Sequence, residues 1–294
     1  MNKTWQNNGG LNYVVDRKIG VSIICNTYNH ESYIRHTLES FFMQKTDFNI
    51  EILVHDDAST DGTQDIIKEY ENKYPDVVLP IYQKTNQYSL GEDICFKYQF
   101  PRVRGKYIAF CEGDDYWTDK YKLKKQFNEM EVCPNINICT HAVCFIKNGI
   151  SDSKIEPATE KRVFSPGEVI AGGGGFVGTN SIFMRSTIIH KIPKFVEFLP
   201  LDYTYQIWGS LEGGMLYLPY DMSAYRFNVN GSWTERMNNN YDLRINHLKK
   251  VYKMFNILML ETGRTYSKEI RIKKIKVTKS IWKYRIRKLI GKKK

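Results

Sequence analysis

The chain has 294 residues, 42% of them hydrophobic and 14% aromatic, enough to bury a sizeable core as one large domain or one domain with appendages. No run reaches the roughly 18–20 apolar residues of a membrane span, and the polar start, residues 1–8, has no apolar signal-peptide core. The net charge of +11 is set by the end of the chain: residues 264–294 hold fourteen Lys and Arg against Glu269, or +13, leaving −2 for the rest, which argues against a nucleic-acid-binding body.

In chain order, residues 1–19 read as irregular and polar. Residues 21–25 predict a first strand, followed by a helix over 32–44 with Ile34, Leu38, Phe41 and Phe42 on one face and Asn29 as its N-cap. A second strand, 50–55, runs into Asp56-Asp57-Ala58-Ser59-Thr60-Asp61, and a helix over 61–74 closes at Pro75. A third strand covers 77–82, and residues 93–103 read as helical up to Pro101. The fourth strand, 107–111, ends in Glu112-Gly113-Asp114-Asp115.

Beyond Trp117 the pattern loosens into a helix over 119–132 capped by Thr118, one or two strands over 136–146, and a polar loop to Ser165. Four glycines, 172–175, precede a strand over 176–184. They match no phosphate-cradle spacing and read as a mobile loop. A helix over 201–212, strands over 215–218 and 222–227, and a helix ending near Gly263 complete the body. The six cysteines form no CxxC pair and read as reduced, buried small hydrophobes of a cytosolic protein.

The strand–helix alternation to residue 111 predicts an α/β fold with a parallel sheet and right-handed crossovers. Two of its four strands end in paired aspartates, 56/57 and 114/115, and such a sheet brings both tips to one edge. Three carboxylates in the four positions 112–115 repel one another unless a cation or strong donors sit among them. Oxygen ligands of this kind suit Mg2+ or Mn2+ shared with substrate phosphates; a solvated acidic turn is the alternative reading.

These segments together carry a resemblance. Residues 20 to about 233 resemble the family 2 glycosyltransferases of the GT-A fold, common in bacterial polysaccharide assembly. The likeness rests on the first strand with Asn26-Thr27-Tyr28-Asn29, on Asp56–Gly62 as a DDxSxDG segment, and on residues 105–115 as a GxYixxxDxDD segment. It implies a mixed, mainly parallel sheet flanked by helices over 20–238; residues 239–263 read as a helix and 264–294 as a basic amphipathic tail. It implies a metal-dependent, inverting transfer of a sugar from a nucleoside-diphosphate sugar, UDP-linked, to a saccharide or lipid-linked acceptor, with a catalytically inert nucleotide-sugar-binding or scaffolding relative as the alternative.

By the same resemblance Tyr28 stacks on the base with Asn26 nearby, Asp57 accepts from a base N–H, Asp114 lies towards the sugar, and Asp115 ligates Mn2+ or Mg2+. Asp202, at a predicted helix start, is the candidate base, with a helix-capping role as the alternative and Glu212 as a weaker candidate. Asp56, Ser59 and Asp61 serve turns or ligand contacts. Tyr225-Arg226 with Gly231-Ser232-Trp233 resembles a YRxHxxS segment in which Asn228 replaces the usual His, and Arg226 serves a phosphate or a structural ion pair. Glu112 departs from the more usual Asp.

In the tail, Ile281, Trp282, Ile286, Leu289 and Ile290 fall near one helical face among cations. They predict a segment lying on an anionic membrane surface, with nucleic-acid binding as the rival and a solvated helix as the bland reading. The protein is then expected to be cytoplasmic and peripheral on the inner face of the cell membrane.

Overall fold

The first strand, β1 (Ile19–Thr27), sits inside the sheet, parallel to β2 (Asn49–Asp56) on one side and β4 (Tyr107–Phe110) on the other. The computed structural model describes residues 19–147, 150–227 and 233–291. β3 (Val78–Tyr82) continues the parallel ladder beyond β2. On the far side of β4 come β9 (Phe183–Arg185), β6 (Ile138–Lys147), β10 (Met215–Arg226) and β5 (Tyr116–Trp117), giving the order β3-β2-β1-β4-β9-β6-β10-β5. β7 (Ile150–Ile155) pairs with β6, and β8 (Arg162–Phe164) with β10. The β9 and β5 pairings are antiparallel, so the sheet is mixed; its long ladders are mainly parallel.

β1 carries apolar residues on both its faces, interrupted by the buried Ser22, because both faces of the sheet are covered. Val21, Ile23 and Cys25 pack with Ile34, Leu38 and Phe41 of α1 (Glu31–Phe42), Ile67 of α2 (Thr63–Lys73), and Leu123 and Met130 of α3 (Lys122–Glu131). Ile24 faces the other core with Ile108 and Phe110. That core is closed by α4 (Pro166–Gly172), α5 (Lys194–Phe198), α6 (Asp202–Ser210), α8 (Tyr241–Glu261) and α9 (Ser267–Gly291). A short α7 (Trp233–Asn239) precedes α8.

Several local expectations change. Asn29 does not cap α1: its backbone is left-handed, at φ 54°, and its side-chain oxygen accepts from Thr60 N–H at 2.8 Å. His30 takes the cap position, and its N–H donates to the Thr63 hydroxyl at 2.8 Å. The segment read as a helix over 93–103 is a π-helical turn, Cys95–Gln99, running into a 3-10 turn, Phe100–Arg102, because Pro101 supplies no N–H. Only Phe183–Arg185 of the strand expected over 176–184 pairs; Thr179–Ser181 is a 3-10 turn. The polar stretch before Ser165 contains β7 and β8. The two strands expected over 215–227 are one, β10, with irregular register between Leu218 and Ser223. Asn228, Gly231 and Ser232 lie outside the described residues, as do residues 1–18.

The tail is a helix with two apolar faces. Ile270 and Val277 are buried in the second core and Ile281 packs against it. Burial of Ile270 and Val277 contributes about 1.5–3 kcal/mol each. No described helix is long and apolar enough to cross a membrane. All six cysteines are free.

Candidate active site

The parallel ladder brings three strand ends together. β1 ends opposite the end of β2, where Thr27 pairs with Asp56, and the next N–H, of Asp57, donates to Thr27 O at 2.9 Å. On the other side Cys111 N–H donates to Ile24 O at 3.0 Å and Gly113 N–H to Asn26 O at 2.9 Å. The two acidic tips, far apart in sequence, are thus both hydrogen-bonded to the end of β1. Gly113 makes this approach possible: a Cβ there would sit 2.5 Å from the Thr27 hydroxyl.

On the β2 side, the acidic residues shape the backbone. Asp56 accepts from Ser59 N–H at 3.0 Å and from Gln64 at 2.6 Å, so it closes a turn in which Ala58 is left-handed at φ 65°. Asp61 accepts from Glu31 N–H and Thr63 N–H, at 3.1 and 3.0 Å, joining the starts of α1 and α2. Asp57 is buried, and its two oxygens accept from Gln87 N–H (2.7 Å) and Tyr88 N–H (3.0 Å), drawing the loop after β3 over the strand ends. Asn26 is held by Gln99, which donates to its oxygen at 3.0 Å. Tyr28 lies open at the rim, 43% exposed.

On the β4 side, the three carboxylates separate by environment. Asp115 is buried at 1% exposure, and its oxygens accept from Arg226 N–H (2.9 Å) and the Asn180 amide (3.2 Å). Burial first, then the charge of Asp114, holds its carboxyl well above the usual range. The metal-ligand expectation at Asp115 thus meets a carboxylate turned inward and already engaged. Asp114 is half-buried, with its carboxylate 3.8 Å from His30 Nε2. Glu112 meets solvent; desolvation, then Asp114 and Asp202, push its carboxyl up to about 8, a rise that solvent contact tempers.

Arg226 braces this tip. It donates to Asp114 O at 2.6 Å and reaches His36 Nδ1 at 2.8 Å, with its guanidinium 4.4 Å from the Tyr116 ring centre. Asp202 is the first residue of α6 and half-buried. It accepts from the Thr179 hydroxyl at 3.0 Å and from Tyr203 N–H at 2.6 Å. Burial raises its carboxyl above the usual range, and those two donors oppose the rise. Leu201 holds the N-cap position, and the Thr204 hydroxyl accepts from its N–H at 2.9 Å. The 172–175 glycines lie beside it: a Cβ on Gly174 would stand 3.7 Å from Tyr203 Cβ. Glu212 lies away from α6's start and accepts from Asn137 at 3.3 Å.

The structure therefore groups Glu112, Asp114 and Asp202 electrostatically, while Asp115 and Arg226 hold the loop that carries the first two. Sequence reasoning missed His30, Thr179 and Asn180. The signal for the last two was a polar triplet, Thr179-Asn180-Ser181, between the apolar residues Phe176-Val177 and Ile182–Met184. Among the described residues, no three His, Cys, Asp or Glu side chains are arranged to hold a metal by themselves.

A mainly parallel sheet with acidic tips at the carboxyl end of its strands is that of an open α/β protein, whose ligands bind at that edge. Residues 22–231 match the family model described as glycosyl transferase family 2, so the chain belongs to that family. An uncharacterized protein of Mycobacterium tuberculosis (strain ATCC 25618 / H37Rv) is 38% identical over 215 residues, 72% of this chain and 60% of its own length. The chain thus spans about 60% of the length of the curated relatives it matches over most of its own. The Escherichia coli UDP-Glc:alpha-D-GlcNAc-diphosphoundecaprenol beta-1,3-glucosyltransferase WfaP is 40% identical over 111 residues, 38% of this chain and 41% of its own. The crystal structure of S. aureus TarS 1-349 in complex with UDP-GlcNAc superposes with a TM-score of 0.58 at 18% identity, covering 85% of this chain and 73% of that one. This likeness establishes the GT-A-type fold.

Proposed function

We propose that the chain transfers a sugar, with inversion, from a nucleoside-diphosphate sugar to a hydroxyl of a saccharide or lipid-linked acceptor in cell-surface polysaccharide assembly. The observation that carries this is the meeting of the β1, β2 and β4 ends with Asp202 close enough for its charge to raise Glu112. A UDP-linked donor is supported by the UDP-Glc in the name of the E. coli relative and by the UDP-GlcNAc bound to TarS. A mannosyltransferase of Pyrobaculum calidifontis with the same fold was solved with GDP-Man and Mn2+, at a TM-score of 0.51 and 14% identity.

The donor set suits a hard divalent cation. Glu112 and Asp114 are crowded like charges at the end of β4, with the charge of Asp202 also felt there, and two carboxylates leave room for diphosphate oxygens on a shared ion. Glu112 and Asp114 would hold it, while Asp115 fixes their loop. When bound, the ion offsets charge on the departing nucleoside diphosphate. Tyr28, exposed at the rim beside Asn26, offers a face to the base, and Asp57 shapes the loop that covers it. Arg226 keeps Asp114 aimed at the diphosphate side.

Asp202 supplies the base. It takes the proton of the acceptor hydroxyl as that oxygen forms its bond to the sugar's anomeric carbon, and the bond to the phosphate oxygen breaks with the electron pair leaving on the diphosphate. A carboxyl raised by burial is a better proton acceptor than an exposed one. The test is UDP release from a panel of UDP-sugars with Mn2+. Asp114→Asn and Asp202→Asn are each expected to lose about 10²-fold or more in kcat/KM. Variants as active as the unaltered protein would refute these roles.

A further inference from the structure

The last helix carries more apolar surface than its packing uses. Its inner face, Ile270, Val277 and Ile281, closes the second core. On the other side Ile272, Ile275, Trp282, Ile286, Leu289 and Ile290 are all exposed, from 46% to 68%. At 100° per residue these six fall in one stripe opposite the buried one. The sequence alone had merged the two sets, placing Ile281 with Trp282. The stripe runs along the 25-residue helix, flanked by Lys276, Lys283 and Arg287 on one side and Arg285 on the other, with Arg271 and Lys279 within it, all exposed.

We propose that this outer stripe of α9 docks the enzyme on an anionic lipid surface, with the helix lying in the plane of the headgroups. Three features select that occupant. An apolar band with an exposed Trp between flanking cations matches an interface that is apolar on one side and negative on the other. A second copy of the chain is disfavoured, because pairing two such faces would bring together two tails of +13 each. A nucleic acid would use the cations and leave six exposed apolar side chains in water.

The inner side of α9 fits the same placement. Lys273 donates to Ala171 O at 3.2 Å at the end of α4 and lies 5.8 Å from the Tyr203 ring centre. Tyr203 follows Asp202 and donates from its hydroxyl to Ile170 O at 2.6 Å. A bilayer on the outer face of α9 therefore lies about one helix diameter, ~10 Å, from the wall that leads to Asp202. Resting on the function proposed above, this selects a membrane-borne acceptor over a freely diffusing one.

The experiment is co-sedimentation of the full chain, without donor, with phosphatidylglycerol-containing vesicles and with pure phosphatidylcholine vesicles. Partitioning onto the anionic vesicles is expected to exceed that onto the neutral ones by about tenfold, and to fall by about tenfold in Trp282→Ser/Ile286→Ser. Both altered side chains are solvent-exposed, so the variant should keep the unaltered protein's circular dichroism and its UDP release. Equal binding by variant and unaltered protein, or no binding to anionic vesicles, overturns the proposal. A concentration-dependent dimer that the variant loses would replace it with self-association. Because vesicle binding is read without donor, its failure leaves the transferase reading standing, and loss of UDP release in the aspartate variants leaves this one standing.

Discussion

Asn180 is fully buried and joins three things that a linear reading keeps apart. Its amide donates to Asp115 at 3.2 Å, 65 positions away, and to Ala224 O at 2.9 Å, 44 positions away, while its oxygen accepts from Ser223 at 2.9 Å. Asp57, Asp114 and Asp202 could be picked out because charged residues stand out at strand ends and helix starts. Asn180 could not, because its role exists only once its partners arrive. The same is true of the division among the carboxylates, which depends on what covers each. Glu112 gives a test at this scale. Its carboxyl is raised, so the folded state binds its proton more tightly than the unfolded chain, and its contribution to stability is lost as pH rises from about 4.5 towards about 8. Glu112→Gln is therefore expected to raise the urea midpoint at pH 8 and to leave it near the unaltered value at pH 4. An equal shift at both pH values would mean that charge crowding is not the cause.

Among the elements, α6 sets where Asp202 points. It lies close on the sheet because Gly209 faces β6: a Cβ there would stand 2.6 Å from Ile138 Cβ. Gly209→Leu is expected to lift α6 from β6, with about 1–3 kcal/mol of destabilisation and a loss in kcat beyond what stability explains. Urea titration with steady-state UDP release would measure both, and unchanged kcat would mean that α6 can move without cost to the base. Element existence was legible wherever one periodicity dominated, as in α1, α2 and the first four strands. It failed where pairing decided. β7 is mostly polar and β8 only three residues long, and both become strands by joining β6 and β10, while β10 runs through a sequence that looked like two strands because partners flank it along its length. In α9, opposing apolar stripes blur the single-face signature that marks an amphipathic helix.

At the scale of the whole molecule, the tail and the body share a core. Ile270 is fully buried and Val277 is 8% exposed, both among residues of α4, α6 and α8. A chain ending at residue 263 is therefore expected to lose about 3–6 kcal/mol of stability and to melt at a lower temperature, measured by thermal unfolding. An unchanged melting point would show that α9 only rests on the surface.

The sequence by itself determined the parallel start of the sheet, the acidic strand ends, the family resemblance and the concentration of positive charge in the last thirty or so residues. All of these are written in local order and composition. Tertiary structure alone decided that Asp115 is buried while Asp114 stays half-buried and Glu112 exposed, that Asp202 enters the same electrostatic neighbourhood, and that α9 keeps one apolar face and exposes another. Burial, hydrogen-bond partners and like-charge spacing are properties of neighbours in space, and only folding assigns them.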